Sequence, residues 1–282
     1  MASPVSAQDM PGLRYGVEGG LLVMPEADFD SGGSVSLVRW SAGTRVARQV
    51  PGVAIFGLGL TLGGSHYEFN GRNGLTGPID THEVSLSAPI RLPLGPGMLG
   101  YLIPKLDFSG EAGADIDEAT TSSVLAGISW RLSPALTLGP GVGVFGGLDD
   151  ETDIVPILIV DWKLSERLTL SNGPGIGATR GPGIGLSYAA SPVWKLGVVA
   201  RYEKVQFRLD EDADIPGGIG THTSTPVIAT ASWQPKPGTR ISGFAGAAFD
   251  GSMKFKDDRD RTVGESGYDT APIFGVTASF DF

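Results

Sequence analysis

Three histidines are the side chains in this sequence best suited to act as a general base. His66, His82 and His222 all fall at or in predicted connecting loops, and His82 could neighbour Glu83 and His66 across one hairpin. A working base also needs an oriented nucleophile and an oxyanion site. The sequence marks neither, so we predict no catalytic residue and rank an enzyme third among three functions.

Carboxylates gather in four polar segments, where their oxygens could hold calcium or magnesium or bridge through such ions to lipopolysaccharide. None has the fixed glycine and final glutamate of a calcium-binding EF-hand loop. Solvated surface charge is the favoured interpretation, and we predict no metal site and no cofactor. The clusters are Glu111, Asp115, Asp117 and Glu118; Asp149, Asp150, Glu151 and Asp153; Asp210, Glu211, Asp212 and Asp214; Asp257, Asp258 and Asp260.

A glycine-rich repeat is the remaining motif with chemical potential. Residues 173–177 and 181–185 both read Gly-Pro-Gly-Ile-Gly. A phosphate-binding loop needs a strand before it and a helix after it, whereas apolar alternation continues on both sides here. The glycines more plausibly leave space on an inner face or permit strand curvature.

Overall composition excludes several further classes. The net charge of −10 repels phosphate backbones, so nucleic acid is not expected as a partner. Cysteine is absent, which excludes disulfides and zinc–thiolate sites. No stretch approaches the roughly 18 consecutive apolar residues of a membrane helix. If a membrane is involved, only a closed barrel can satisfy the backbone hydrogen bonds.

Period-two alternation dominates the chain and predicts strands. It is clearest at the end, where Phe274, Val276, Ala278, Phe280 and Phe282 alternate with small or polar residues. Similar rows of about ten residues recur throughout, the length of a tilted membrane-crossing strand. The opposite face carries Gly, Ser and Thr with single charges, whereas a soluble sandwich would carry many Lys and Glu there. The pattern therefore favours a membrane barrel over a sandwich.

Connections alternate between short turns and long polar segments, as they do in outer-membrane barrels. The long segments lie near 66–80, 109–120, 208–224 and 251–270. We predict an all-β, single up-and-down antiparallel barrel over residues 13–282, with about fourteen strands and twelve as the alternative. Residues 1–12 form an N-terminal segment, in which Val5-Ser6-Ala7 is typical of the end of a signal peptide.

Charged residues on the inward parity are candidates for a pore lining. Several cations fall near the short turns, and a ring of cations in a pore would favour anions. Internal ion pairing that closes a narrow barrel explains them equally well. The candidates are Arg91, Lys105, Asp107, Arg131, Lys163, Lys195, Arg201, Glu203 and Arg240, and the same parity holds Arg39 and Glu83.

The C-terminal row ending in Phe282 resembles the terminal signature of bacterial outer-membrane proteins. That resemblance implies a Gram-negative outer membrane, periplasmic termini, contact with lipid and lipopolysaccharide, and reading of Phe282 by the barrel-assembly machinery. The turn at 162–168 is similar to turns in uncharacterised outer-membrane barrel families without a settled activity. The leading functional hypothesis is a passive channel for small solutes. The alternative is a closed structural or adhesive surface barrel that acts through its acidic loops.

Overall fold

The computed structural model describes residues 12–71, 77–172 and 181–282. No helix within these ranges is long and apolar enough to span a membrane. The described residues form seventeen strands. They are β1 Leu13–Asp28, β2 Ser34–Val50, β3 Ala54–Asn70, β4 Ile79–Ser87, β5 Ile90–Gly95, β6 Met98–Glu111, β7 Thr120–Ser133, β8 Leu136–Gly146, β9 Thr152–Lys163, β10 Leu168–Ser171, β11 Gly183–Ala189, β12 Trp194–Arg201, β13 Glu203–Arg208, β14 Ile219–Trp233, β15 Thr239–Lys256, β16 Thr262–Tyr268 and β17 Ala271–Asp281.

These strands form one closed antiparallel barrel. β4 and β5, β12 and β13, and β16 and β17 are each two halves of one strand, because the halves follow one another along the chain and pair with a common neighbour: β3 and β6 for the first pair, β14 for the second and β15 for the third. Counting each pair once leaves fourteen strands. β17 closes the barrel by pairing with β1, from Gly16 opposite Asp281 to Val23 opposite Phe274. The prediction of a fourteen-stranded barrel is confirmed, and the alternative of twelve is wrong.

The two ends of the barrel differ, as the connection lengths predicted. One end, here called the short-turn rim, carries the turns between β2 and β3, β5 and β6, β7 and β8, β9 and β10, β11 and β12, and β14 and β15, together with Leu13 and Asp281. The other, the loop end, carries the longer connections. β1 begins at Leu13, and residues 1–11 and the repeat at 173–177 lie outside the described residues.

One predicted loop is largely a hairpin. Residues 251–270 were expected to be a long connection, but β15 continues to Lys256 and pairs with β16. The alternation breaks because a bulge adds one residue to β15 beside β14, near Asp250, whose φ is 50°. A bulge of this kind reverses which residues face inward. Phe244 is buried before it, and Met253 and Phe255 are buried after it.

The outward face of the barrel is apolar from the short-turn rim up to the level of Gly64, and it is polar at the loop end. On β3, Leu58 points outward and is 63% exposed, whereas His66 and Glu68 occupy the same face beyond Gly64. Trp40 lies opposite Gly64. From Gly64 to Ala54 a strand tilted by about 45° rises about 23 Å, which matches the roughly 25 Å apolar band of membrane barrels.

Tryptophans mark the other edge of this band. Four of them are exposed and lie beside short turns, at the level where amphipathic rings meet lipid headgroups. Trp194 lies directly opposite Trp233 on the neighbouring strand. These tryptophans form an aromatic belt on the outward face. Its members are Trp130, Trp162, Trp194 and Trp233.

The loop end is filled by a packed interior, here called the loop-end core. Past Tyr202, β13 no longer pairs with β11, and at its tip Arg208 pairs with Gly110 of β6, nearly across the barrel. The narrower space enclosed by β1–β4 and β13–β17 is packed with inward side chains, among them Tyr67 and Phe207, both with no exposed surface. The main apolar core thus lies inside the barrel at one end.

The C-terminal residue completes the closure of the sheet. The amide of Phe282 donates to the carbonyl of Tyr15 at 2.8 Å, and its side chain is 77% exposed. Because the side chain makes little contact with the folded barrel, we expect deletion of Phe282 to lower the amount of folded protein in the outer membrane while the purified protein refolds nearly as well as the parent. Quantitative blots of membrane fractions, with in vitro refolding as the control, measure both. Normal membrane levels would contradict a role as an assembly signal.

Candidate functional site

The space between the short-turn rim and the loop-end core is lined mainly by small residues; we call it the lower lumen. On β17 the inward row is Gly275, Thr277 and Ser279, and on β11 it is Gly183, Gly185 and Ser187. Such residues occupy little volume. A fourteen-stranded barrel encloses more space than the eight strands whose interior side chains can fill. The lower lumen is therefore a wide compartment.

One wall of the lower lumen is apolar, a feature that sequence reasoning missed. Inward side chains of β6 to β9 are half-buried there, and neighbours in register include Ile103 opposite Leu125. Apolar residues occupy both faces of β9 between 154 and 160, so alternation gave no sign of the inner face. That continuous apolar run was the available signal. The apolar stripe, as we name it, consists of Ile103, Leu125, Phe145, Val155, Ile157 and Ile159.

Five of the nine predicted pore charges lie near the short-turn rim, and their strand parity points them inward. Each is exposed. Arg131 lies opposite Thr137, and Lys195 lies opposite Ser232 on an adjoining strand. The structure brings these cations to one rim without bringing them into contact with one another. The five are Arg91, Arg131, Lys163, Lys195 and Arg240.

The other four candidates take part in local interactions. Lys105 pairs with Asp107 at 2.6 Å, on the same strand and face. Arg201 is buried and donates to the carbonyl of Gly181 at 2.6 Å. Glu203 is buried in the loop-end core, where it pairs with Arg39 at 3.1 Å. These contacts match the alternative of internal ion pairing for Lys105, Asp107 and Glu203.

A further ion cluster at the rim was not foreseen. Arg45 donates to Glu18 at 2.7 Å and to Asp281 at 2.6 Å, and all three point into the lumen near the closing seam of β1, β2 and β17. The side chains are about half exposed. Exposed pairs of this kind contribute little stability, typically under 1 kcal/mol. Arg45 went unnoticed because it lies in a strand rich in both apolar and basic residues.

The loop-end core contains a buried polar network. The Arg39 guanidinium donates to Ser65 at 3.2 Å and to Glu203 at 3.1 Å. His222 lies between two phenols, with its Nδ1 at 3.3 Å from the Tyr67 hydroxyl and its Nε2 at 2.7 Å from the Tyr268 hydroxyl. Because every one of these side chains is buried, a solute cannot reach His222 in this conformation. The network holds the core together and offers no open catalytic site.

The other two histidines are exposed on the outer face. His66 pairs with Asp80 at 2.7 Å, and His82 lies opposite Gly64 on β3. The expected proximity of His82 to Glu83 and His66 is limited to strand adjacency, because Glu83 points inward and is buried while His82 points outward. Among the described residues, no three His, Asp or Glu side chains converge as metal ligands.

Basic side chains hold the long loops over the loop end. Arg208 donates to the carbonyls of Gly217 at 2.9 Å, Glu118 at 3.1 Å and Leu148 at 3.3 Å. Lys256 pairs with Asp149 at 2.7 Å. Burial opposes ionisation of Asp149, but the hydrogen bonds with Lys256 and Gln206 and the charge of Lys256 together outweigh it, so the pKa of this loop carboxyl lies below its ordinary value. The tether is therefore present at neutral pH and is lost only as the pH falls through that lowered value.

Neither a family model nor a curated protein matches the chain. Among solved structures it is similar to the COG4313 outer membrane channel from Pseudomonas putida F1, with 11% identity, full coverage of both chains and a TM-score of 0.53. The fold is that of a bacterial outer-membrane β-barrel.

Two other solved structures overlay less closely. A Pseudomonas aeruginosa FadL homologue gives 12% identity and a TM-score of 0.47, with 95% of this chain and 89% of that chain covered. The toluene transporter TodX from Pseudomonas putida gives 8% identity and a TM-score of 0.42, with 96% and 90% covered. The apolar outward band and the aromatic belt of this outer-membrane barrel agree with the fold assignment.

Proposed function

We propose that this outer-membrane barrel is a passive channel for small, largely apolar solutes. The apolar stripe is the observation that carries this proposal. It places side chains such as Leu125 and Ile157 on the wall of a compartment whose other inward residues are mainly glycines and hydroxyl-bearing residues, with a few ion pairs. Small-molecule sites are predominantly apolar with a few polar groups. The short-turn rim, with Leu13 and Asp281, faces the periplasm in this proposal.

The second candidate is a closed structural or surface-binding barrel, and one observation favours it. The loop-end core fills the narrow part of the barrel, and loops bearing Asp149 and Glu118 are tethered across it by Lys256 and Arg208. A barrel sealed in this way would conduct nothing and would present its acidic loops as a fixed surface. Conductance separates the two candidates.

Reconstitution in planar bilayers tests the proposal. We expect the parent protein to carry a small ionic current, and we expect benzyl alcohol in the bath to reduce that current because it occupies the apolar stripe. Ile157→Asn should weaken this block severalfold. Thr230→Asn, an inward substitution elsewhere on the lumen wall, is the matched control. A parent that does not conduct would favour the sealed barrel. If benzyl alcohol reduced the current equally in all three proteins, the apolar stripe would not be part of the solute path.

The rim cations give a separate expectation about ions. If current passes Arg131 and Lys195, their charges raise the local concentration of anions, so we expect a weak anion preference in the reversal potential under a salt gradient. Arg131→Glu with Lys195→Glu should abolish or reverse it. The control is Arg167→Glu with Lys236→Glu, a double variant that changes the net charge by the same amount in turns of the same rim. Selectivity that ignores the first pair would place both residues outside the permeation path.

A further inference from the structure

A crevice with a volume of about 300 Å³ lies at the loop end, outside the loop-end core. One side is the outward face of β13 to β16, which is polar at this height. The other side is the tip of β9, whose Asp153 and Val155 point towards it. The crevice arises because β13 bends away from β11 past Tyr202. Its volume is at the lower end of the range for small-molecule sites.

The charges in the crevice cancel. Lys204 pairs with Asp153 at 2.7 Å, and Lys254 lies 3.7 Å from Glu265. An entering anion would have to displace a carboxylate from one of these ammonium groups, and an entering cation would have to displace an ammonium. The site therefore favours a ligand without net charge that can both donate and accept hydrogen bonds.

Hydroxyl groups and one aromatic ring supply the remaining contacts. Thr221, Thr223 and Ser252 line the crevice, and their hydroxyls have no hydrogen-bond partner among the described residues. Tyr202 lies at the edge with 51% of its surface exposed. The face of an aromatic ring carries partial negative charge, which suits the polarised C–H groups of a sugar ring.

We propose that this crevice binds a neutral saccharide of about one or two rings, a size that its volume allows. The hydroxyls of Thr223 and Ser252 exchange hydrogen bonds with the sugar, Lys204 and Asp153 contribute a donor and an acceptor, and the ring of Tyr202 packs against its apolar face. Because the crevice lies beyond the level of Trp40, the saccharide reaches it from the aqueous side. It comes either from free solute or from the sugar part of a surface glycolipid.

Titration of the full chain in a detergent without a sugar headgroup tests this site. Glucose and maltose are the free probes, and calorimetry or saturation-transfer NMR is the readout. We expect saturable binding by the parent, weakened about threefold to tenfold by Thr223→Val, which removes a hydrogen bond while keeping the side-chain shape. Tyr202→Leu should weaken it similarly. Thr225→Val, on the same strand and face but outside the crevice, should bind as the parent does.

Two further titrations complete the test. Lipopolysaccharide in the same detergent separates the sources: binding of free sugar assigns the crevice to solutes, and binding of lipopolysaccharide alone, lost in Thr223→Val, assigns it to surface lipid. Sodium acetate probes the charge argument. Failure of all saccharide probes, tighter binding of acetate, or equal binding by Thr223→Val and Thr225→Val would each overturn the proposal. The migration of unboiled protein on a denaturing gel shows that each variant is folded.

Discussion

Replacing Glu203 with Leu is expected to destabilise the barrel by about 3–5 kcal/mol, the usual cost of removing one partner from a buried ion pair, because Glu203 pairs with the Arg39 guanidinium. Both side chains are almost fully buried, and the distance between them is 3.1 Å. Arg39 also donates to Ser65 at 3.2 Å and lies 3.5 Å from the Tyr67 hydroxyl, so the pair is part of a larger buried network. Urea unfolding of protein folded into lipid vesicles measures the change in the free energy of unfolding.

The matched control is a double variant, Arg39→Met with Glu203→Leu. Replacing both partners of a buried pair by apolar groups of similar size is often neutral or stabilising, so the double variant should recover most of the lost stability. Loosening of the loop-end core in the single variant should also raise the ionic conductance. A single variant as stable as the parent, or a double variant no better than the single, would contradict this account of the pair.

A charge on the lipid-facing side of the wall should cost roughly 2–4 kcal/mol, whereas the same charge one residue away should cost far less. Leu86 points outward, is 52% exposed and lies between Leu60 and Leu106. Leu86→Arg therefore places a guanidinium among acyl chains. The free energy of unfolding from vesicles is the measurement.

Ser85→Arg is the control for this prediction. Ser85 points into the lower lumen opposite Asp107, so an arginine there faces water and a carboxylate. Gly197 also points inward, but it is a poorer control position. A Cβ there would lie 2.9 Å from the Thr230 hydroxyl, so the loss of stability would include a steric clash. Equal destabilisation by Leu86→Arg and Ser85→Arg would show that the assignment of inner and outer faces is wrong.

Apolar alternation, together with the alternation of short and long connections, predicted the barrel and its strand number, because each lipid-crossing strand must be apolar on one face. Alternation did not predict the structure correctly where the strands extend beyond the lipid. Beyond Gly64 the outward face meets water, and the bulge near Asp250 reverses the parity of β15. The sequence consequently predicts a loop where β15 and β16 form a hairpin. Strand patterns cannot indicate such a reversal, because a single added residue makes a regular row look irregular.

The candidate site was predicted less fully than the fold. Parity predicts an inward direction for Arg131 and Lys195, but parity does not say how far along the barrel a charge meets a partner. Whether Glu203 lies in an open lumen or a packed core depends on the bend at Tyr202, which follows from the pairing of β13 with β14 and its contact with β6. This bend depends on contacts between residues far apart in the chain, and residue patterns in a single sequence do not predict such contacts.

At the level of Gly64 the outward face changes from apolar to polar. The two parts of the barrel on either side of this level therefore differ in how much apolar surface their unfolding exposes to water. In the lower part, outward side chains such as Leu58 contact lipid or detergent, and loss of structure need not expose them to water. In the loop-end core, side chains such as Phe207 become hydrated on unfolding, which gives a positive heat-capacity change. The stability of that part therefore follows a curved temperature profile, as in water-soluble proteins. Since apolar burial weakens on cooling, low temperature loosens the loop end before it affects the lipid-facing band.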